Sequence, residues 1–362
     1  MLLFNIGGVE MKKINSLSLC LTFAGCFLGA GYVSGQELWQ FFSSFGKSGY
    51  IGLAMAVVLQ IMFGILLIRL AMKTSISEMD KIIIIKENNV LRKIFAFLQE
   101  FFLFGIFVIM AAGAAALFQE IFSLPQWIGS LIFCTVVALL SIRGIGAMVS
   151  VFSVFVPVLV AVTAGICVFV LYKNGMPEIV AKQSGDNPLL SNWVLSSFAF
   201  VSYNIFGSIG ILTPLGERVK GKKTVFVGIS FGGVLLFIIA LGILLVTSVF
   251  SQSTEAQLPM LFVANEISPL LKYIYAFLLF GGMLGTSVSS VVAIKTYAET
   301  KSSKISKKSV VIVLMMCVAG LVLSLVGFSD LIGFVYPVFG YLGFIALLMI
   351  LINYFRCKSC TK

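Results

Sequence analysis

The chain has 362 residues, of which 60% are hydrophobic and 11% charged. A water-soluble domain of this size needs a far more charged surface, so the composition excludes one and fits a protein that crosses a membrane many times. The formal charge of +11 comes without a single histidine, which removes histidine metal sites, histidine general bases and histidine proton relays.

The first ten residues differ in character from the rest, and Met11 followed by Lys12 and Lys13 reads as the natural start. The first apolar run is long and lacks a small-residue cleavage motif, so no cleavable signal peptide is expected. Uncharged apolar runs long enough to cross a hydrocarbon core about 30 Å thick predict ten spans, at 16–45, 49–70, 94–119, 125–142, 145–172, 190–217, 224–249, 270–295, 309–328 and 331–354. The connections alternate in basic charge: 21 Lys and Arg fall on one side and 4 on the other. The positive-inside rule then puts both termini in the cytoplasm. The basic charge is therefore topological, and no nucleic-acid surface is implied. The expected organisation is a cytoplasmic N-terminus (1–15), a first five-helix repeat (16–172), an external loop (173–189), a second, inverted five-helix repeat (190–354) and a cytoplasmic tail (355–362).

The first span is longer than a straight crossing needs, carries Gly29, Gly31 and Gly35 near its centre, and follows them with Glu37. Glycine weakens a helix interior by about 1 kcal/mol relative to alanine, and unwound backbone is tolerated in a membrane only where protein or a cavity surrounds it. In the connection 71–93, Ser75 and Glu78 have capping-box spacing, and the Ile82–Ile85 run is expected to pack on the bundle or on the bilayer surface. Glu37 and Glu100 are the acids lying well inside spans. Such residues are functional or face water. Glu37 is expected to face the outer vestibule, as a proton carrier, a gate or an attractor of cations, or as a plain interfacial residue. Glu100 is expected to pair with Arg92, Lys93 or another cytoplasmic base.

The sixth span repeats the glycine pattern. Gly207, Ser208 and Gly210 sit at its middle, with Tyr203 and Asn204 one turn before and Pro214 after. Spans 1 and 6 open two halves of five spans each. Five is odd, so the halves run in opposite directions, and a Gly-interrupted helix opening both is the sequence pointer to an inverted-repeat transporter with a midplane site. Freed N–H groups near Ser34–Gln36 suit a carboxylate, and freed carbonyls near Phe27–Ala30 suit an ammonium or a hard cation. The expected substrate-binding set is Gly29, Ala30, Gly31, Ser34, Gly35, Gln36, Glu37, Tyr203, Asn204, Gly207, Ser208 and Gly210. The alternative for either span is that its glycines serve close helix packing.

Farther along, 251–269 with Pro259 and Pro269 reads as a structured cap between spans 7 and 8. Five of the seven cysteines (Cys20, Cys26, Cys134, Cys167, Cys317) lie in apolar runs and two, Cys357 and Cys360, in the tail, so no disulfide framework is implied. The tail pair reads as reduced bystanders, with a metal or redox role as the alternative.

"GAGYVSGQELWQFF" resembles the first helix of YkvI-like bacterial membrane proteins, and Gly29-Ala30-Gly31-Tyr32-Val33 is similar to the Gly-small-Gly-Ile-Phe motif of amino acid–polyamine–organocation (APC) transporters. Phe198–Gly207 is similar to their aromatic sixth helix. The resemblance covers nearly the whole chain. It implies an all-α polytopic membrane protein of the LeuT-type fold, with ten helices in a 5+5 inverted repeat and broken helices 1 and 6. Relatives with twelve helices are common in that superfamily, and this chain stops at ten. Many LeuT-type transporters hold sodium between the first and eighth helices. Here the oxygens of Thr286, Ser287, Ser289 and Ser290 with the carbonyls of Phe27 and Ala30 are the candidate ion set, and Na+ is the one candidate cofactor. The alternative is that these hydroxyls bond back to their own helix.

No nucleophile–base pair and no ATP-binding loop is found, so the chain is read as a non-enzyme. The leading expectation is an ion-coupled or exchange transporter, in the bacterial cytoplasmic membrane, for an amino acid or related small amine. A ligand sensor of the same fold is the alternative. The expected partners are a small-molecule substrate and the lipid bilayer.

Overall fold

The computed structural model describes residues 14–76, 79–84, 89–143, 146–179, 187–301 and 309–359. Met11, Glu78, Ile85, Cys360 and the middle of the 173–189 loop lie outside these residues. Helices fill the apolar runs: α1 (Ser16–Phe27), α2 (Ala30–Val33), α3 (Gln36–Phe41), α4 (Lys47–Thr74), α5 (Met79–Ile83), α6 (Asn89–Phe122), α7 (Gln126–Arg143), α8 (Gly146–Asn174), α9 (Trp193–Leu212), α10 (Lys222–Val249), α11 (Pro259–Ile267), α12 (Pro269–Lys301), α13 (Ser309–Ser324) and α14 (Phe328–Ser359). Asparagine side chains open two of them. Asn15 Oδ1 accepts the Ser18 N–H at 2.8 Å and Asn192 Oδ1 the Leu195 N–H at 2.9 Å, each satisfying an orphan donor of the first turn.

Among the described residues, seven helices (α4, α6, α8, α9, α10, α12 and α14) are long and apolar enough to cross a membrane, and shorter apolar helices occupy Ser16–Phe27, Gln126–Ile142 and Ser309–Ser324. Exposed apolar side chains such as Val168, Phe169, Val318 and Val322 clothe the outside of the bundle, as a hydrocarbon surrounding requires. Inside, α9 packs against α14 and α4, α1 lies on α10, and α12 lies between α6 and α8. The α9–α14 seam is built on small residues. A Cβ added at Gly340 would lie 2.8 Å from Ala199, and one at Gly343 2.6 Å from Ser202 Oγ. Without a solvent-driven hydrophobic effect between membrane helices, such close backbone approach is what holds them together.

Two connections fold onto the bundle. Ser75 does not start a helix; it closes α4 in the left-handed region, at φ 51, with its N–H on the Ala71 carbonyl at 2.9 Å. Ile82, Ile83 and Ile84 are buried. Asn353 of α14 donates to the Ile82 and Ile83 carbonyls at 3.2 and 2.7 Å, so this run packs on protein and not on lipid. The 251–269 segment forms a 3-10 turn (Ser251–Glu255) and then α11, with Pro259 in the first turn of α11 and Pro269 opening α12.

Span 1 is interrupted twice. The α-helix stops at Phe27, restarts at Ala30, and stops again at Ser34–Gly35, where Gly35 takes φ 85. That conformation favours glycine. Span 6 corrects the expectation of a matching break. Helix α9 runs unbroken through Gly207, Ser208 and Gly210 to Leu212, and changes to a 3-10 turn only over Thr213–Glu217, around Pro214. Two physical reasons account for this. Gly207 is a packing glycine, whose added Cβ would lie 2.7 Å from the Phe102 ring. Pro214, which cannot donate to the carbonyl four residues earlier, sets where the α-helix ends. Gly210 is on an exposed face. We therefore expect Gly207→Ala to lower the apparent melting temperature in detergent by the equivalent of about 1–3 kcal/mol of overpacking. Gly210→Ala should not lower it.

Candidate functional site

The interruption of span 1 leaves backbone groups that must find partners inside the bundle. Most of the carbonyls do so locally or on a neighbouring element. The Phe27 carbonyl accepts the Gly29 N–H at 2.8 Å and the Tyr32 carbonyl accepts the Gly35 N–H at 3.2 Å. Ser34 Oγ donates to the Gly31 carbonyl at 3.0 Å and accepts the Gln36 N–H at 3.4 Å. The Val33 carbonyl receives the Tyr275 hydroxyl of α12 at 2.7 Å. The Ser34 carbonyl receives the Met260 N–H of α11 at 2.8 Å, so the cap is fastened to the interruption.

Glu37 lies one residue into α3 and is 4% exposed. Its carboxyl does not face an open vestibule. It turns back toward α2, where a Cβ on Gly31 would lie 2.8 Å from its Oε2. The Tyr203 hydroxyl of α9 donates to Glu37 Oε1, and Asn204, the next residue, lies near the same carboxyl while its Nδ2 donates to the Phe200 carbonyl at 2.9 Å. Tyr203 stacks on Tyr336 of α14, with ring centroids 4.6 Å apart and planes 14° from parallel. The Tyr336 hydroxyl stands 3.6 Å from the Gly31 Cβ position. Phe41 and Phe200 close on Tyr203 with centroids at 5.5 and 5.7 Å. The structure thus gathers Gly31, Glu37, Tyr203 and Asn204 from the expected set, and adds Tyr336.

The other expected residues fall around or outside this cluster. Gly29 is in the first interruption, and a Cβ there would meet nothing within 4 Å. Ala30 opens α2. Gly35 abuts Ile243, Met260 and Pro259. Gln36 donates from Nε2 to Ser329 Oγ of α14 at 2.5 Å while its buried Oε1 has no partner. Ser208 Oγ donates to the Ile205 carbonyl at 2.9 Å within its own helix. Gly207 and Gly210, as described above, do not reach the cluster.

In the candidate ion set the hydroxyls divide. Thr286 donates to the Gly282 carbonyl at 3.0 Å, Ser289 to Gly285 at 2.9 Å and Ser290 to Thr286 at 3.0 Å. These are the bonds within one helix that such residues make when nothing else engages them. Ser287 is fully buried and its Oγ has no hydrogen-bond partner among the described residues, an arrangement that needs an explanation in a native structure. Among the described residues no His, Cys, Asp and Glu cluster suited to a transition metal is present.

Sequence reasoning missed Tyr336. Its signal was Pro337, inside α14. Proline removes the N–H that would satisfy the Gly333 carbonyl, and Asn187 Nδ2 takes that carbonyl at 2.8 Å instead. A tyrosine beside an intramembrane proline was the signal the sequence offered.

No family model matches the chain. It is 24% identical over 347 residues to the uncharacterised membrane protein YkvI of Bacillus subtilis (strain 168), covering 94% of this chain and 97% of that protein. It is 27% identical over 346 residues to the uncharacterised protein YyaD of the same strain, covering 92% and 95%. Among solved structures, MhsT in complex with L-phenylalanine superposes with a TM-score of 0.63 at 16% identity, over 94% of this chain and 89% of MhsT. A Na+-coupled sialic acid symporter, substrate-bound and outward-open, superposes with a TM-score of 0.62 at 12% identity, over 94% and 79%. The chain has the LeuT-type fold, and it is similar over nearly its whole length to the membrane protein YkvI. In that fold, an interrupted first helix facing an aromatic sixth-span helix is the ground on which the cluster stands.

If the Tyr203–Glu37 bond organises the cluster, Tyr203→Phe and Glu37→Gln are non-additive. A double-mutant cycle on unfolding is expected to give a coupling of about 0.5–3 kcal/mol. Additive losses would show that the two side chains are independent.

Proposed function

We propose that the chain is a secondary transporter that moves an amino acid or related small amine across the cytoplasmic membrane by alternating access, coupled to an ion gradient. One observation carries this reading. The backbone of span 1 is opened at the middle of the bundle, beside a buried acid and a tyrosine pair, in a fold shared with solute symporters. The residues proposed to meet the solute are Gly29, Ala30, Gly31, Ser34, Gly35, Gln36 and Glu37 of span 1 with Tyr203, Asn204 and Tyr336. The halves 16–172 and 190–354 are proposed as the two inverted repeats, with both termini cytoplasmic on the strength of the loop charges. Alternation would rock spans 1, 2, 6 and 7 against spans 3, 4, 8 and 9.

Sodium is the proposed coupling ion. The buried, unpartnered Ser287 hydroxyl supports this, together with the hard oxygen character of the segment and the Na+ coupling of the sialic acid symporter. Ser287 is the proposed side-chain ligand. Thr286, Ser289 and Ser290 would have to give up their bonds within the helix to join it. In proteoliposomes loaded against a mixed panel of amino acids and amines, we expect saturable uptake that collapses when the sodium gradient is dissipated. Ser287→Ala should raise the sodium concentration for half-maximal uptake on the order of tenfold, the equivalent of one lost ligand at about 1.4 kcal/mol. Uptake that follows the proton gradient and ignores sodium would overturn the sodium assignment.

A further inference from the structure

We infer, building on the transport reading above, that the solute is an organic cation whose ammonium meets Glu37, and not a zwitterion. Glu37 is 4% exposed, and its neighbours, Tyr203 and Asn204, are neutral. Among the described residues no lysine or arginine is found paired with it. A carboxyl taken out of water is stabilised either by a proton or by a positive charge beside it, and among the described residues no basic side chain supplies that charge. A cationic ligand does.

The surroundings fit an ammonium. Oε2 fills the place a side chain at Gly31 would take, since a Cβ there would lie 2.8 Å from it, so the carboxyl sits directly against the interrupted backbone. The same spot is 3.6 Å from the Tyr336 hydroxyl, an acceptor for a second N–H. Tyr203 and Tyr336 stack on each other, and Phe41 and Phe200 close on Tyr203, so the wall beside the carboxyl is aromatic and uncharged. Beside Gly29 the space is open, since a Cβ there would touch nothing within 4 Å.

The surroundings do not fit a second carboxylate. A zwitterion bound at this interruption would bring a second carboxylate near that of Glu37, which lies against Gly31. Like charges at such separation in a low-dielectric interior repel strongly, and no basic side chain there offsets them. The protein supplies the anion, and the ligand is left to supply the cation.

The test uses the full-length protein in detergent and in proteoliposomes, with matched pairs that differ only by the carboxylate: tyramine and tyrosine, isoamylamine and leucine, cadaverine and lysine. We expect at least one amine to raise the melting temperature and to be taken up, its amino acid doing neither. Glu37→Gln should weaken that amine about 100-fold, as loss of one partner of a buried charge pair does. Should Glu37→Gln fail to fold, the wild-type comparison within each pair decides alone. Binding and uptake of the amino acids without the amines overturns the inference and leaves the transport reading standing. Amine binding without flux under any gradient supports the inference and removes the transport reading. No stabilisation by any amine overturns the inference.

Discussion

A backbone carbonyl in hydrocarbon has nowhere to turn except to protein, and this constraint organises the middle of the molecule. Two stops in span 1, at Leu28–Gly29 and at Ser34–Gly35, release several carbonyls at once. The Tyr275 hydroxyl takes one from α12, the Met260 N–H takes another from the cap, and Ser34 takes a third within the segment. Remove any of these and the interruption would have to close into a helix or fill with water. The cap, the eighth span and the site are therefore parts of one arrangement.

The same constraint explains which glycines matter. In span 1 they coincide with a change of backbone direction, and Gly35 takes a φ that favours glycine. In span 6 they do not. The helix passes through Gly207 unbroken because the missing side chain makes room for the Phe102 ring. Sequence shows a glycine in an apolar run but not whether it serves packing or unwinding, because the deciding atom belongs to a residue about a hundred positions away. The location of span 1's interruption, the long helical runs and the cap between spans 7 and 8 were legible, since each is written in local chemistry: glycine, apolar length, proline at a helix start.

The direction of Glu37 was not legible. One residue into a helix, it reads from sequence as facing outward. The Tyr203 hydroxyl of another span turns it inward instead. Tyr336 escaped for a related reason, since its ring matters only once α14 is laid against α9. The hydroxyl run of span 8 is an intermediate case. Three of its four members bond back to their own helix, as an isolated helix would have them do, and Ser287 alone points to something beyond the helix.

A buried acid without a basic partner among the described residues faces a glycine in an interrupted helix, and this puts the weight on span 1 and not on span 6. Hydrogen–deuterium exchange with and without a bound small amine tests that asymmetry most directly. Amides of 28–37 should exchange faster than those of 199–212 in the free protein, and should slow when the amine binds, while 199–212 stays as it was. Equal protection of the two segments in the free protein, or slowing confined to 199–212, would contradict the claim that the opened backbone of span 1 is where the ligand is met.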